Sequence, residues 1–261
     1  MGRIGSLALL GALALSFNTY AAEKAGHDAH DKGKGHDVHW GYTGEASAEH
    51  WGDLKQEFAL CKVGQSQSPI DIDDAIKADL NPIDFNYKAV PLKVINNGHT
   101  IQVGLEGAGT IKLHGDEYKL LQFHFHAPSE HTAQGKSYDM EVHLVHKSDK
   151  GKLAVVGVFM KPGKENAALK AVFDNMPKEA GETEVKGASL NPQDLLPKAK
   201  DYSHYIGSLT TPPCSEGVRW NVLTDTIEVS QAQIDAFKAL YAMNARPVQD
   251  QHDRFLLKNG K

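Results

Sequence analysis

Short apolar runs, often rich in β-branched or aromatic residues, follow one another from residue 39 onward and are separated by turns. Runs of this kind are typical of β-strands. They predict strands over 92–96, 99–105, 110–114, 118–126, 139–147, 153–160 and 217–224. Asn97-Gly98 is a turn signal directly behind the first run. The pattern therefore favours a fold dominated by β-strands.

Two segments show the helical spacing of apolar residues instead. The segment 165–176 places its apolar side chains on one face, namely Ala168, Leu169, Val172, Phe173 and Met176. A second helix is predicted to start at Ser230, where Gln233 completes a capping box. Its apolar stripe consists of Ile234, Phe237, Leu240 and Tyr241. Asn191-Pro192 indicates a short third helix. Neither an internal repeat nor a break in composition divides residues 39–261, which we predict to form one domain.

The N-terminus has the pattern of an export signal. Arg3 precedes an apolar run from Leu7 to Phe17, and small residues stand at both key positions of Thr19-Tyr20-Ala21, as in a cleavable leader. A membrane anchor is the alternative, but the run is shorter than the ~20 residues that span a bilayer. We therefore predict a signal peptide over 1–21, a periplasmic or secreted protein, and no stable membrane insertion after the signal is removed.

Residues 22–38 are mostly His, Asp, Lys and Gly, with almost no large apolar side chains. Such a composition cannot bury a core, and it predicts a His-rich flexible tail. Its histidines His27, His30 and His36 could hold metal loosely, although a solvated tail is the favoured interpretation. A metal-handling protein that uses this tail is one alternative function. It predicts that deleting the tail changes metal uptake but not the fold.

The cysteines and the charge limit the compartment and the partners. The only two cysteines are Cys61 and Cys214. In an exported chain one such pair predicts one disulfide, and two unrelated buried thiols are the alternative. The formal net charge is −5, with Lys and Arg scattered along the chain. Nucleic acid is therefore not an expected partner, because no basic stripe is present.

Three histidines carry the strongest chemical signal. On a strand over 118–126, His124 and His126 share one face with Gln122, while Leu121, Phe123 and Phe125 are expected to point to the core. His143 lies on the strand 139–147, and antiparallel pairing would bring all three imidazoles to one ion. Each histidine alone would usually be a hydrogen-bonded core residue. Together they predict a zinc site with one open position, which is preferred over copper or nickel because three imidazoles and a water suit tetrahedral geometry.

Gln122 and Glu141 each stand two residues before a predicted ligand and on the same face as that ligand. This position suits an acceptor for the ligand's other ring nitrogen, which fixes the tautomer of the imidazole. Three neutral imidazoles would leave the charge of the ion uncompensated, which favours an acidic bound water.

Several longer motifs point to a known family. They are HWGY at 39–42, QSPIDI at 67–72, NNGH at 96–99, QFHFHAPSEH at 122–131, EVHLVH at 141–146, GSLTTPPC at 207–214 and Arg246-Pro247. In these motifs the chain strongly resembles the α-class carbonic anhydrases over 39–257, and in its cysteine pair and APSEH segment the exported bacterial branch. The resemblance implies an α+β, β-dominated single domain, with a large, twisted, mostly antiparallel central sheet and short peripheral helices.

The resemblance also implies a reaction, the reversible hydration of CO2 to bicarbonate and a proton by attack of zinc-bound hydroxide. His124, His126 and His143 match the zinc ligands, and His99 matches the proton shuttle. Thr210 matches the residue that orients the hydroxide, and Glu130 matches the acceptor of its hydroxyl proton. Further matches are Tyr42, Asn97 and Gln102 for the water network, Val145, Val155, Leu209 and Trp220 for the apolar wall, Thr210 and Thr211 for contact with the substrate, and Ser68-Pro69 and Pro212-Pro213 for cis peptide bonds.

Related exported proteins are often dimers, so a homodimer is possible. A non-catalytic binding protein on the same fold is the main rival function. Such proteins typically lack a metal ligand, whereas all the ligand candidates are present here.

Overall fold

The computed structural model describes residues 39–259. The predicted signal peptide over 1–21 and the predicted tail over 22–38 lie outside these residues. In the range that is described, none of the helices has the length and apolar character needed to cross a membrane.

Fifteen strands are the main regular elements of the described chain. They are β1 (Asp71–Ile72), β2 (Ile76–Ala78), β3 (Asp84–Tyr87), β4 (Val90–Asn96), β5 (Ile101–Gly104), β6 (Gly109–Leu113), β7 (Asp116–His126), β8 (Thr132–Ala133), β9 (Lys136–Ser137), β10 (Met140–Ser148), β11 (Leu153–Pro162), β12 (Gly181–Leu190), β13 (Tyr202–Ser208), β14 (Glu216–Val229) and β15 (Leu257–Asn259). All seven predicted strands are confirmed. Segments such as β12 were not predicted, because their polar, exposed sequences lack an apolar face.

The helices are short and few within the described range. They are α1 (Trp51–Leu54), α2 (Leu60–Val63), α3 (Ala167–Asp174) and α4 (Gln231–Lys238), together with 3-10 turns at Gly44–Ala46, Gln56–Phe58 and Pro192–Leu195. The predicted helices at α3 and α4 and the turn behind Asn191 are confirmed. The capping box of α4 is also confirmed, because the side chains of Ser230 and Gln233 bond to each other's backbone N–H groups.

Twelve of the strands form one large sheet. Its order is β12-β4-β5-β7-β10-β11-β14-β13-β15-β2, with β3 and β6 paired beside β7. Most neighbours are antiparallel, whereas β11 with β14 and β15 with β2 run parallel. The remaining strands β1, β8 and β9 form a separate small sheet. The expected large, mostly antiparallel sheet with few helices is therefore present.

Aromatic side chains on one face of the central strands pack against the two longer helices. The ring of Phe125 lies 5.4 Å from Phe173 of α3 and 5.9 Å from Phe237 of α4, measured between centroids. Phe123 is fully buried in the same cluster. The other face of these strands is thereby left to the alternate residues, which include the histidines.

The expectation that Leu121 points to the core is wrong. Its side chain is 37% exposed, whereas Leu120 is 2% exposed. The pairing of β7 with β10 explains the difference, because Gln122 pairs with Val145 and Leu120 pairs with His146, leaving Leu121 without a partner in the ladder. This bulge reverses the in–out alternation on its N-terminal side. Phe123 and Phe125 follow the bulge and point inward as predicted.

Candidate metal centre

The three histidines of β7 and β10 converge on one point. His143 pairs directly with His124 across the two strands, and His126 pairs with Glu141. One ring nitrogen from each histidine lies within 4.8 Å of the others. Adjacent strands place directly opposed side chains about 5 Å apart, so the register of this pair is what assembles the cluster.

The second nitrogen of each ring faces a fixed acceptor. Nδ1 of His124 donates to Oε1 of Gln122 at 2.9 Å, and Nδ1 of His126 donates to the carbonyl oxygen of Asn244 at 2.7 Å. Nε2 of His143 lies 2.9 Å from Oε1 of Glu141, within hydrogen-bonding distance although without the alignment of a hydrogen bond. If the rings carry their protons at these positions, Nε2 of His124, Nε2 of His126 and Nδ1 of His143 are left without protons and face one another.

These bare nitrogens fit a zinc ion. Nε2 of His126 is buried and has no hydrogen-bond partner within the described residues. A buried acceptor without a partner is costly unless it serves as a ligand. Burial, and then the neighbouring His126 and His143 rings, hold the pKa of His124 well below its ordinary value. Burial also lowers the pKa of His126. Rings that stay neutral near pH 7 are the form that binds metal.

Glu141 is the most heavily contacted acid of the site. Its Oε2 accepts hydrogen bonds from the backbone N–H groups of Glu130 and His131, at 3.0 and 2.9 Å. Its Oε1 accepts from Nδ1 of His131 at 2.8 Å. Burial alone would raise the pKa of Glu141, but the nearby His131 and His143 and the hydrogen bond from His131 hold it well below its usual range. The carboxylate is therefore ionised and locked in place.

A hydrogen-bonded chain extends from Glu141 to the loop that carries Thr210. Because the carboxylate of Glu141 can only accept, Nδ1 of His131 carries a proton, and in the neutral form of this ring Nε2 accepts. The hydroxyl of Tyr205, 2.7 Å away, therefore donates to His131 and in turn accepts from Oγ of Ser68 at 2.9 Å. Oγ of Ser68 accepts from the backbone N–H of Ser208 at 3.0 Å.

His131, Glu141 and His143 also bring ligand-type atoms within 4.8 Å of one another. In this second group Oε1 of Glu141 already accepts from Nδ1 of His131, so these two atoms are hydrogen-bonded to each other.

Glu130 and Thr210 are both buried, and Glu130 lies beside His126 and His143. Oε1 of Glu130 accepts from the backbone N–H of Arg246 at 2.9 Å. Its Oε2 lies 3.4 Å from Nε2 of His126 and has no hydrogen bond within the described residues. The hydrogen bond predicted between the hydroxyl of Thr210 and Glu130 stays a prediction.

His99 lies apart from the cluster, in the turn between β4 and β5. Its ring stacks face to face on Trp40, with centroids 3.6 Å apart, and lies 4.8 Å from the ring of His39. Burial, and then the charge of His39, lower the pKa of His99 to about 4. A ring with that pKa is a poor proton acceptor near neutral pH. In this stacked position His99 is therefore not ready to take up a proton.

The three residues expected in the water network have different surroundings. Gln102 pairs with His124 across β5 and β7 and so lies beside the cluster. Tyr42 packs edge to face against Trp40 and Trp51. Oδ1 of Asn97 accepts from the backbone N–H groups of His99 and Thr100, which gives Asn97 a turn-stabilising role that was not predicted.

The apolar wall is continuous across three strands. Val145 pairs with Val155, and Val155 pairs with Trp220, so the three side chains form one row across β10, β11 and β14. The indole of Trp220 lies 4.8 Å from the ring of His143 and donates from Nε1 to the carbonyl oxygen of Ser208. Leu209 packs against the same cluster. The backbone carbonyl of Thr211 accepts from the N–H of Cys214.

Cys61 and Cys214 form the predicted disulfide. Arg246, whose role was not predicted, lies beside it and holds three segments together. Its Nη2 donates to the carbonyl oxygen of Cys61, and its Nη1 donates to Oε1 of Gln67 and the carbonyl oxygen of Ser68. Ser68-Pro69 and Pro212-Pro213 are cis as predicted, and Ala127-Pro128 is cis as well.

Comparison with known proteins agrees with this geometry. A family described as eukaryotic-type carbonic anhydrase matches residues 46–259. A carbonic anhydrase of Klebsiella pneumoniae is 47% identical over 84% of this chain and 91% of its own length, and one of Nostoc sp. is 42% identical over 85% and 86%. Among solved structures, the α-carbonic anhydrase of Thermovibrio ammonificans in complex with the inhibitor sulfanilamide is 48% identical, with a TM-score of 0.82, over 85% of this chain and 99% of that one.

Proposed function

The chain belongs to the eukaryotic-type, or α-class, carbonic anhydrases, and on that premise we propose that it catalyses the zinc-dependent reversible hydration of CO2 to bicarbonate and a proton. One observation carries the zinc requirement. One ring nitrogen from each of the three histidines lies within 4.8 Å of the others, while the other nitrogen of each ring faces a fixed acceptor. We propose His124 and His126 as ligands through Nε2, and His143 as a ligand through Nδ1.

Zinc, when bound there, would supply a Lewis acid that lowers the pKa of a water molecule and makes it a nucleophile near neutral pH. The contribution of Gln122 and Glu141 is to hold the second ring nitrogens of His124 and His143, which keeps the ligand rings in one tautomer and one orientation. Asn244 does the same for His126 through its backbone carbonyl.

Thr210 and Glu130 are proposed to orient the attacking oxygen. The free Oε2 of Glu130 would accept the hydroxyl proton of Thr210. That hydroxyl is then left with only lone pairs to offer, so it can accept a hydrogen bond from the nucleophile but cannot donate one. A nucleophile fixed in this way keeps its own lone pair directed at the carbon, which lowers the entropic part of the barrier.

The apolar row is proposed to hold the substrate. CO2 has no net dipole, and a wall of Val145, Val155 and Trp220 beside His143 offers it a water-poor surface. Leu209 completes that wall on the loop side. We propose that the backbone N–H of Thr210 faces a substrate oxygen and that Thr211 neighbours the bicarbonate product.

His99 is proposed to carry the released proton to buffer. Its pKa of about 4 in the stack on Trp40 favours release of a proton over uptake. We therefore propose that uptake occurs when the ring has turned off Trp40 into water, where an imidazole titrates near pH 6.5. Gln102 and Tyr42 are proposed to order the water between His99 and the cluster.

Stopped-flow CO2 hydration with and without a zinc chelator tests this function. We expect rapid hydration that is lost on chelation, is restored by added zinc, and is absent in His124→Ala. The matched control is His252→Ala, because His252 is exposed and lies outside the site, and it should keep the full rate. A non-catalytic binding protein would give the uncatalysed rate for every sample.

We also propose residues 1–21 as a signal peptide, 22–38 as a flexible tail and 39–261 as the catalytic domain of a periplasmic or secreted protein. A homodimer is the proposed assembly. The leader pattern of the sequence and the disulfide support export. N-terminal sequencing of the protein recovered from the periplasm should begin near residue 22, and an unprocessed N-terminus would contradict the export proposal. Light scattering during size-exclusion chromatography measures the oligomeric state, and a monomer mass would exclude the dimer.

A further inference from the structure

We propose that Gly157 is a positioning residue of the metal centre, because the side chain it lacks leaves the space in which the carboxylate of Glu141 stands against His143 and His131. The inference rests on the proposed zinc function. It concerns a residue of β11 that none of the site motifs singles out.

The register of the sheet places Gly157 where a side chain would face the site. Gly157 pairs directly with His143 across β10 and β11, and it pairs with Val222 of β14 on its other side. Directly paired residues project their side chains to the same face of a sheet. Any residue other than glycine at 157 would therefore project a Cβ to the face that carries His143.

Glu141 occupies that space. A Cβ built on Gly157 would lie 2.8 Å from Oε1 of Glu141, and 3.6 and 3.8 Å from side-chain atoms of Val222 and Trp220. The distances to Val222 and Trp220 are ordinary contacts. The distance to Glu141 is too short, because a carbon and an oxygen that share no hydrogen bond pack at about 3.5 Å. A methyl group at 157 would thus clash with one atom only, the oxygen nearest to both histidines.

The carboxylate of Glu141 cannot move aside without cost. Its Oε1 accepts from Nδ1 of His131 at 2.8 Å and lies 2.9 Å from Nε2 of His143. Its Oε2 is held by the backbone N–H groups of Glu130 and His131. A shift of several tenths of an ångström would therefore disturb the acceptor that orients the ring of His143. Gly157 itself is not among the glycines with positive φ, so the backbone would accept alanine and the expected effect comes from the clash.

Zinc release from Gly157→Ala, compared with Gly104→Ala, tests the proposal. Gly104 is the matched control because it lies in β5 opposite Gln122 of the ligand strand. A Cβ there meets nothing within 4 Å. Outer partners of metal ligands typically contribute 10- to 100-fold to metal affinity, so we expect Gly157→Ala to release zinc to a chromogenic chelator at least about tenfold faster than the wild type. Gly104→Ala should stay within about twofold of the wild-type rate, because its Cβ touches no outer partner of a metal ligand. Wild-type release from Gly157→Ala, or equal acceleration in both variants, would overturn the proposal.

A double variant separates the specific clash from a general loss of packing. Glu141→Asp shortens the acid by one methylene and withdraws the oxygen from residue 157. In that background, adding Gly157→Ala should change zinc release and the thermal midpoint of the zinc-free protein by less than it does in the wild type, since contacting residues are not additive. If Gly157→Ala does not fold, Glu141→Asp should restore soluble protein. Full additivity, or no restoration, would show that Glu141 is not what the methyl group meets.

The two proposals fail in different ways. A wild-type protein that binds no stoichiometric zinc contradicts the proposed function. Normal zinc binding by the wild type, together with wild-type release from Gly157→Ala, contradicts only the role of Gly157.

Discussion

The metal cluster and the turn that carries His99 between β4 and β5, here called the mouth, hold their histidines by opposite means. In the cluster, the rings of His124 and His126 stand on a central strand, and each has its second nitrogen fixed by a hydrogen bond of 2.9 Å or less. At the mouth, His99 stands in a turn and its ring is stacked 3.6 Å from Trp40, without a fixed acceptor for its nitrogens in the described range.

This difference matches what each region has to do. A metal ligand must hold one geometry, so its ring is fixed by register, burial and hydrogen bonding together. A proton carrier must exchange with water, so stacking, which holds a ring by its face alone, leaves its edge and its nitrogens free to move. Fixed and movable histidines should therefore respond differently to substitution.

The largest effect is expected where a fixed ligand is removed. His143→Ala deletes a proposed zinc ligand and leaves Glu141 without one of its two histidines. Zinc content measured by elemental analysis should fall well below one per chain, and CO2 hydration should fall to background. His99→Ala, the counterpart at the mouth, should keep full zinc and lose turnover only in weak buffer, with partial rescue by imidazole. Equal zinc loss in both variants would contradict the view that His143 holds the metal and His99 does not.

The next effect concerns orientation of the nucleophile. Thr210→Val keeps the shape of the side chain and removes its hydroxyl, so Oε2 of Glu130 gains no partner. Loss of one preorganised hydrogen bond to reacting atoms typically lowers the rate by about 10²-fold or more. We expect that fall in kcat/KM for CO2 with zinc content unchanged. A value within a factor of two of the wild type would remove Thr210 from the mechanism.

A smaller effect is expected from the chain of hydrogen bonds behind the cluster. Tyr205→Phe removes the donor to Nε2 of His131, which loosens the tautomer that serves Glu141. Zinc release should accelerate by about tenfold, at the low end of the range for outer partners. Tyr202→Phe is the control, since Tyr202 is a buried tyrosine of the same strand whose hydroxyl donates to the carbonyl oxygen of Asn81 instead. Equal zinc release from the two variants would show that the hydrogen bond between Tyr205 and His131 does not support the metal cluster.

The smallest effect is expected at the mouth. The charge of His39 is the second cause, after burial, that lowers the pKa of His99 to about 4. His39→Ala removes that charge and exposes the ring, so the pKa of His99 should rise toward its ordinary value. NMR titration of the ring proton of His99 measures this directly, and no movement would mean that burial alone sets the pKa of His99.

The lowered pKa of His99 also predicts a change of stability with pH. The wild type should lose stability as pH falls from about 6.5 toward 4, because the unfolded chain there takes up a proton at His99 that the folded chain does not.

The sequence predicts the local parts of the site well. The alternation that placed Gln122, His124 and His126 on one face is confirmed, as are α3, α4 and the disulfide. The error at Leu121 came from a bulge, which depends on how two strands pair and not on either strand alone. Asn244 and Tyr205 were not predicted to contact the histidines, nor Ser68 to contact Tyr205, because these bonds join segments far apart in the chain. The stack of His99 on Trp40 was missed for the same reason.

The central claim is that His124, His126 and His143, and not the neighbouring group of His131, Glu141 and His143, hold one zinc ion. Anomalous diffraction at the zinc absorption edge from crystals of the zinc-loaded protein tests it directly. We expect a single peak about 2.0–2.1 Å from Nε2 of His124, Nε2 of His126 and Nδ1 of His143, the usual zinc–nitrogen distance. A peak bonded to Glu141 or His131, or no peak in crystals soaked with zinc, would contradict the claim.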